Sequence, residues 1–185
     1  MNENRQLIKR CLRREPAAQK QLYDLFAPSM LAVCYRYTKS LDDAQDVLQE
    51  GFVRVFQNLH QFREDGELGG WVRRIIVNAA LAFLKQNKKY QNDMALPDEY
   101  LHPVSNSNPV VDLNAKELAN LVRQLPSGYQ TIFNLHAIEG YSHPEIASMM
   151  GISEGTSRSQ YMRARNLLIN WIEKFSQESK LKNYA

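Results

Sequence analysis

The chain has 185 residues, 44% of them hydrophobic and 23% charged, enough apolar material for one compact core or two small ones, and it is not obviously a disordered chain. Lysine and arginine total 23 against 20 for aspartate and glutamate, so a net charge of +3 is too slight to establish a polyanionic partner; the distribution of charge must carry that argument. Cys11 and Cys34 lie in no CxxC or zinc spacing, no run approaches the roughly 18 apolar residues of a membrane span, and the polar N-terminus lacks a signal peptide's apolar stretch, so a cytoplasmic protein with reduced thiols, no metal, no cofactor and no direct membrane insertion is expected.

Leu7, Ile8, Cys11 and Leu12 recur at helical spacing and predict a first helix over residues 3–13. After Pro16 a second stripe runs through Leu22, Leu25 and Phe26, continuing beyond Pro28 at Leu31, Val33, Cys34 and Tyr37; the proline, lacking an N–H, predicts a kink or break. Ser40 followed three residues later by Asp43 is a capping-box spacing that opens an amphipathic helix from Leu41 to about Asn58. Its inward stripe is Ala44, Val47, Leu48, Phe52, Val55, Phe56 and Leu59. Its early outward side is acidic and polar, with Asp42, Asp43, Asp46, Gln49 and Glu50 ahead of Arg54. The helix dipole accounts for the first two and less well for Glu50.

The glycine-rich stretch His60 to Gly70 reads as an exposed loop, with a helix resuming at Trp71. From Trp71 to Tyr90 the chain carries Arg73, Arg74, Lys85, Lys88 and Lys89 and no acidic residue. A positive helix beside a loop bearing Phe62 and next to Trp71 has the chemistry of a single-strand site, where cations track phosphates and rings stack on bases. The alternative is that both rings are core residues. Residues 91–112 lose all periodicity around Pro97, Pro103 and Pro109, and read as a linker.

Leu113 to Leu125 is predicted helical, with Leu113, Leu118, Leu121, Val122 and Leu125 inward; Pro126 ends it, and Ser127 can cap a further helix running to Gly140. The stretch from Gly140 to Arg165, GYSHPEIASMMGISEGTSRSQYMRAR, has helix-turn-helix grammar. Ser142 and Glu145 form a capping-box spacing, Pro144 suits a first turn, Gly151 can end that helix in the left-handed conformation, and Ser153 can cap the next. In the second helix Ser157, Tyr161, Ala164 and Leu168 share an inward face, while Arg158, Ser159, Met162 and Arg163 share another. Arginine forks onto a guanine edge, serine reaches a base or phosphate, and methionine touches a thymine methyl, so the second face suits a major groove. The helix continues through Trp171 and Ile172, with Lys180 to Ala185 expected to fray. No strand alternation occurs. The expected fold is all-α, with two small helical domains joined by a flexible linker: an N-terminal domain over 1–90, a linker over 91–112, a helix-turn-helix domain over 113–175 and a tail over 176–185. His60, His102, His136 and His143 are scattered without a metal or nucleophile spacing and read as isolated surface or packing histidines, so no enzyme is expected.

The segments DDAQDVLQEGFVRVFQNLHQF (Asp42 to Phe62), WVRRIIVNAALAFLK (Trp71 to Lys85) and LPSGYQTIFNLHAIEGYSHPEIASMMGISEGTSRSQYMRARNLL (Leu125 to Leu168), in that order, resemble a bacterial RNA polymerase sigma factor of the extracytoplasmic function group. The resemblance implies that the acidic helix docks on the polymerase β-prime coiled coil through Asp46, Gln49 and Glu50, with Phe52 and Val53 nearby. It implies recognition of a melted −10 promoter element by Phe62, Arg63 and the loop to Gly70, with Trp71, Arg74 and Asn78. It assigns −35 duplex reading to Arg158, Ser159, Met162 and Arg163, with Thr156 on phosphate. The implied partners are core RNA polymerase, including its β flap, promoter DNA and an anti-sigma factor. The chain departs from the commonest family sequence at Ser157, Gln160 and Tyr161, where valine, arginine and leucine are usual. The alternative reading is a stand-alone helix-turn-helix regulator with an N-terminal sensing or dimerising domain, which would bind duplex DNA without polymerase.

Overall fold

The computed structural model describes residues 2–63, 66–87 and 115–182, all helix and connecting turns with no strand among them. They fall into two compact units divided after Asn87. The linker expected over 91–112, the basic residues Lys88 and Lys89, and the last residues 183–185 lie outside the described residues.

The first unit holds α1 (Asn2–Leu12), α2 (Pro16–Tyr37), α3 (Leu41–Asn58), a 3-10 turn (Leu59–Gln61) and α4 (Leu68–Gln86). The α1 stripe of Leu7, Ile8 and Cys11 is buried, and α1 packs on α2. Arg14, at φ 59°, supplies the left-handed step between them. Pro28 sits inside one continuous α2, so the expected break is absent. A proline in a helix interior costs about 3 kcal/mol. Beyond it Met30, Val33, Cys34 and Tyr37 are all buried, and a large apolar side chain gains roughly 1.5–3 kcal/mol when removed from water, so burial outweighs the lost bond.

The Ser40 cap forms as expected, its hydroxyl accepting the Asp43 N–H at 3.1 Å. Helix α3 buries Ala44, Val47, Leu48, Gly51, Phe52 and Val55 and packs on both α2 and α4. Gly51 lets α3 and α4 approach: a Cβ there would lie 2.4 Å from Ile76 Cδ1. Ile76 is fully buried, so it has little room to yield. Alanine at position 51 would gain up to about 1 kcal/mol of helix propensity, but overpacking a core costs about 1–3 kcal/mol. Gly51→Ala is therefore expected to lower the urea midpoint of the protein. An unchanged midpoint would mean that Ile76 can turn aside.

Helix α4 starts at Leu68, three residues before the expected Trp71. Leu68 is buried and anchors the first turn, while Gly69 faces Phe26, whose Cε1 would lie 3.3 Å from a Cβ. Val72, Ile76, Val77, Ala80 and Leu84 carry the buried face onward.

The second unit holds α5 (Ala115–Gln124), α6 (Ser127–Phe133), a π-helical segment (Asn134–Ile138), α7 (His143–Met150) and α8 (Glu154–Lys182). Its core is Val122, Leu125, Tyr129, Ala164, Leu167 and Leu168, with Leu121, Phe133 and Trp171 against it. Leu118, expected inward, is 44% exposed. Ser127 is the first residue of α6 and not its cap; Pro126 holds the cap position without a side-chain bond. The helix then widens, Glu139 N–H donating to Asn134 O at 2.9 Å, and ends at Ile138 before Gly140 turns at φ 80°.

The helix-turn-helix forms by the expected local chemistry. The Glu145 carboxylate accepts the Ser142 N–H at 2.8 Å and its O–H at 2.6 Å. Gly151 ends α7 at φ 70°, its N–H donating to Ala147 O at 2.9 Å, and Ser153 Oγ accepts the Thr156 N–H at 3.0 Å. Helix α8 continues to Lys182, past the expected onset of fraying at Lys180 and through the expected tail boundary at 176.

Candidate nucleic-acid interface

In the first unit the 3-10 turn and the start of α4 border an open cleft of about 420 Å³, lined by Phe62, Arg63, Trp71 and Arg74 together with Gln61, the loop residues Gly66 and Glu67, and Gly70 in the first turn of α4. That volume falls within the roughly 300–1,000 Å³ usual for small-molecule sites. The rings of Phe62 and Trp71 stand 5.5 Å apart at 58°, both half-buried, so they are neither wholly core nor wholly free. Arg63 and Arg74 are exposed at its edge. The structure therefore brings four of the five expected residues together. Asn78 lies one helical turn beyond Arg74, exposed but outside the lining. Gln61 lines the cleft without having been singled out; its amide donates to Asn58 Oδ1 at 3.0 Å.

On α3, Asp46, Gln49 and Glu50 are exposed, and Val53, 49% exposed, extends their face by a turn. Phe52 does not belong to it. Its ring is buried, 4.7 Å from that of Tyr23, because position 52 falls on the inward stripe. Glu50 accepts from Arg54 Nε at 2.9 Å, an exposed pair of little energetic weight.

On α8, Arg158, Ser159 and Met162 are exposed and Arg163 is half-buried, whereas Ser157, Ala164 and Leu168 are buried. The two faces separate as expected, with Thr156 in the first turn. Arg158 donates through Nε at 2.9 Å and through Nη2 to the same Glu154 Oε1. That leaves the Nη1 end of the guanidinium pointing away from the pair. Glu154 was not among the expected residues, although its i,i+4 spacing to Arg158 is the signal that finds it.

Beneath α8 lies an aromatic seat. His136 and His143 stack with centroids 4.2 Å apart at 20°, and Tyr161 meets both edge-on at 4.6 and 5.8 Å. Phe133 stacks on Tyr161 at 6.0 Å. His136 Nδ1 donates to the Tyr141 carbonyl at 2.8 Å, and His143 Nδ1 shares a hydrogen bond with Ser157 Oγ at 3.0 Å. Of the surface and packing roles open to these two histidines they take the packing one, because the π-helical segment and the Gly140 turn fold them onto each other. Burial lowers the His143 pKa from its ordinary value; His136 and Arg158 push the same way and Glu154 opposes them.

An all-helical fold with an aromatic, cationic cleft in one unit and a helix-turn-helix in the other has the chemistry of a DNA-binding protein. Two family models match it: sigma-70 region 2 over residues 22–90 and sigma-70 region 4 over residues 115–168. The chain is 28% identical over 177 residues to the RNA polymerase sigma-H factor of Pseudomonas aeruginosa, covering 90% of this chain and 92% of that one. It is 28% identical over 178 residues to the ECF RNA polymerase sigma-E factor of Haemophilus influenzae, covering 90% and 94%. With ECF RNA polymerase sigma factor SigW of Bacillus subtilis it shares 26% identity over 183 residues, covering 87% and 92%. A solved structure of the sigma factor RpoE with the anti-sigma factor NepR from Bartonella quintana matches in fold, with a TM-score of 0.52 at 20% identity over 83% of this chain and 96% of that one. The chain belongs to the extracytoplasmic function group of the sigma-70 family. It is a sigma factor that directs transcription initiation, and sigma factors are in general non-enzymatic initiation factors. No helix among the described residues is long and apolar enough to cross a membrane.

Proposed function

We propose that the two units divide one promoter between them: a domain over 1–90 docks on core RNA polymerase and captures the melted −10 strand, and a domain over 113–175 reads the −35 duplex. A linker over 91–112 joins them, a tail over 176–185 follows, and the protein works in the cytoplasm without catalysing a reaction. The observation that carries this reading is the cleft in which Phe62 and Trp71 meet beside Arg63 and Arg74. Unpairing a base costs a few kcal/mol, and a site that stacks the extruded base and holds its phosphates offsets that cost. Asn78, one turn farther along the same helix, takes the neighbouring nucleotide. Arg158, Ser159, Met162 and Arg163 take base edges in the major groove, and Thr156 takes a phosphate at the helix start.

Asp46, Gln49 and Glu50 form the contact with the β-prime coiled coil, and Val53 supplies its apolar margin. The β flap is the second polymerase contact. The Bartonella quintana sigma factor that shares this fold was solved with an anti-sigma factor, which supports an anti-sigma partner here too. An Asp46→Lys, Glu50→Lys variant tests the docking. Like charges set against each other across an interface cost several kcal/mol, and about 1.4 kcal/mol is a factor of ten. Binding to core polymerase, followed by fluorescence anisotropy, is expected to weaken at least tenfold while the urea midpoint stays put. Unchanged binding would move the docking face elsewhere.

A further inference from the structure

The face of α8 turned toward DNA depends on how that helix is rolled on its seat, and the seat is built from titratable side chains rather than aliphatic ones. Ser157 is fully buried and Tyr161 half-buried. The first is tied to His143 by a 3.0 Å hydrogen bond, and the second stands edge-on to His143 and His136. Ser157 immediately precedes Arg158, and Tyr161 immediately precedes Met162, so a roll that breaks either contact turns the reading face with it.

We propose that His143 is a positioning residue for −35 recognition, fixing the roll of α8 through Ser157 and Tyr161, and that it does so only while its own ring is uncharged. The inference rests on the −35 assignment made above.

The charge environment gives the sign. A second proton on His143 places a cation against the stacked His136 ring, whose Nδ1 already donates to the Tyr141 carbonyl. From α8 the groups facing His143 are Ser157, Tyr161, the Arg158 guanidinium, which opposes a proton, and the Glu154 carboxylate, which favours one. Glu154 is already engaged with Arg158. Burial, His136 and Arg158 together hold the folded-state value below the ordinary one. A histidine whose folded value is depressed contributes stability above its unfolded value, about 6.5, and loses it as the pH falls through the folded value. The seat is therefore intact near neutrality and loosens under acid.

The test is the ratio of holoenzyme transcription from a promoter with its −35 element to transcription from the same promoter with that element scrambled. For the wild-type chain the ratio is expected to fall by about fivefold between pH 7.5 and 5.5, the low end of ordinary coupling between two sites. His143→Phe keeps a ring on His136 and Tyr161 but neither titrates nor bonds Ser157; its ratio is expected to start lower and show no pH step. Ser157→Ala leaves the stack and removes the tie, and is expected to lower the ratio at pH 7.5, so the outcome does not hang on the folding of one variant. Unaltered ratios and slopes in both variants would overturn the proposal, as would a wild-type ratio independent of pH. If Arg158→Ala with Arg163→Ala leaves the ratio unchanged, the −35 assignment itself fails, and the positioning role falls with it.

Discussion

A Trp71→Ala variant is expected to open double-stranded promoters about 5- to 150-fold less well than the wild-type chain, because stacking of one base on an aromatic ring is worth about 1–3 kcal/mol. Trp71 is half-buried and shares the cleft with Phe62 at 5.5 Å, so its removal takes away a wall of the pocket as well as a stacking face. A packing role and a base-binding role separate by substrate. Affinity of the holoenzyme for a single-stranded −10 oligonucleotide should fall in Trp71→Ala and recover largely in Trp71→Phe. An oligonucleotide with an abasic site at the captured position should bind both variants and the wild type alike. Equal losses on the intact and abasic strands would mean that Trp71 merely supports the fold of the loop.

The paired variant Arg158→Ala, Arg163→Ala should weaken −35 duplex recognition by an amount set by the contacts removed. A bidentate arginine to guanine contact discriminates by about 1–3 kcal/mol, so a panel of single base-pair changes in the −35 element should show preference flattened at the positions these side chains read. Arg158 is held by Glu154 across its Nε side, which orients the remaining edge of the guanidinium. Because that ion pair is well exposed, Glu154→Ala is expected to leave stability nearly unchanged while relaxing base preference. A panel equally selective in the paired variant would assign −35 reading to other residues.

Features that depend on a few neighbouring residues were legible in the sequence. The caps at Ser40, Ser142 and Ser153 and the left-handed Gly151 stand where spacing puts them, because each is settled by hydrogen bonds within four residues. Of the kink or break expected at Pro28 the break does not occur, because its cost is local while the burial that offsets it involves α3 and α4. The start of α4 was placed late because glycines signal a loop, whereas Gly69 stands inside a first turn beside Phe26. The resemblance set Phe52 beside the docking face, but the period of the helix already turned it inward, where its ring is buried against Tyr23. At the cleft, Phe62, Trp71 and the basic residues were legible from their place beside a glycine-rich loop, but Gln61 was not, since nothing in its own identity marks it. The stacked histidines were the least legible element. They lie seven residues apart on different helical segments, and only the widened turn and Gly140 bring the rings together.

The central claim is that this chain gives core RNA polymerase its promoter specificity. It is tested most directly by run-off transcription with purified core polymerase on fragmented genomic DNA, with and without the chain. Transcripts starting at defined sites only when the chain is present, from promoters sharing spaced −35 and −10 elements, are the predicted result. Sequence-specific duplex binding by the chain alone, with core polymerase neither recruited nor redirected, would contradict it.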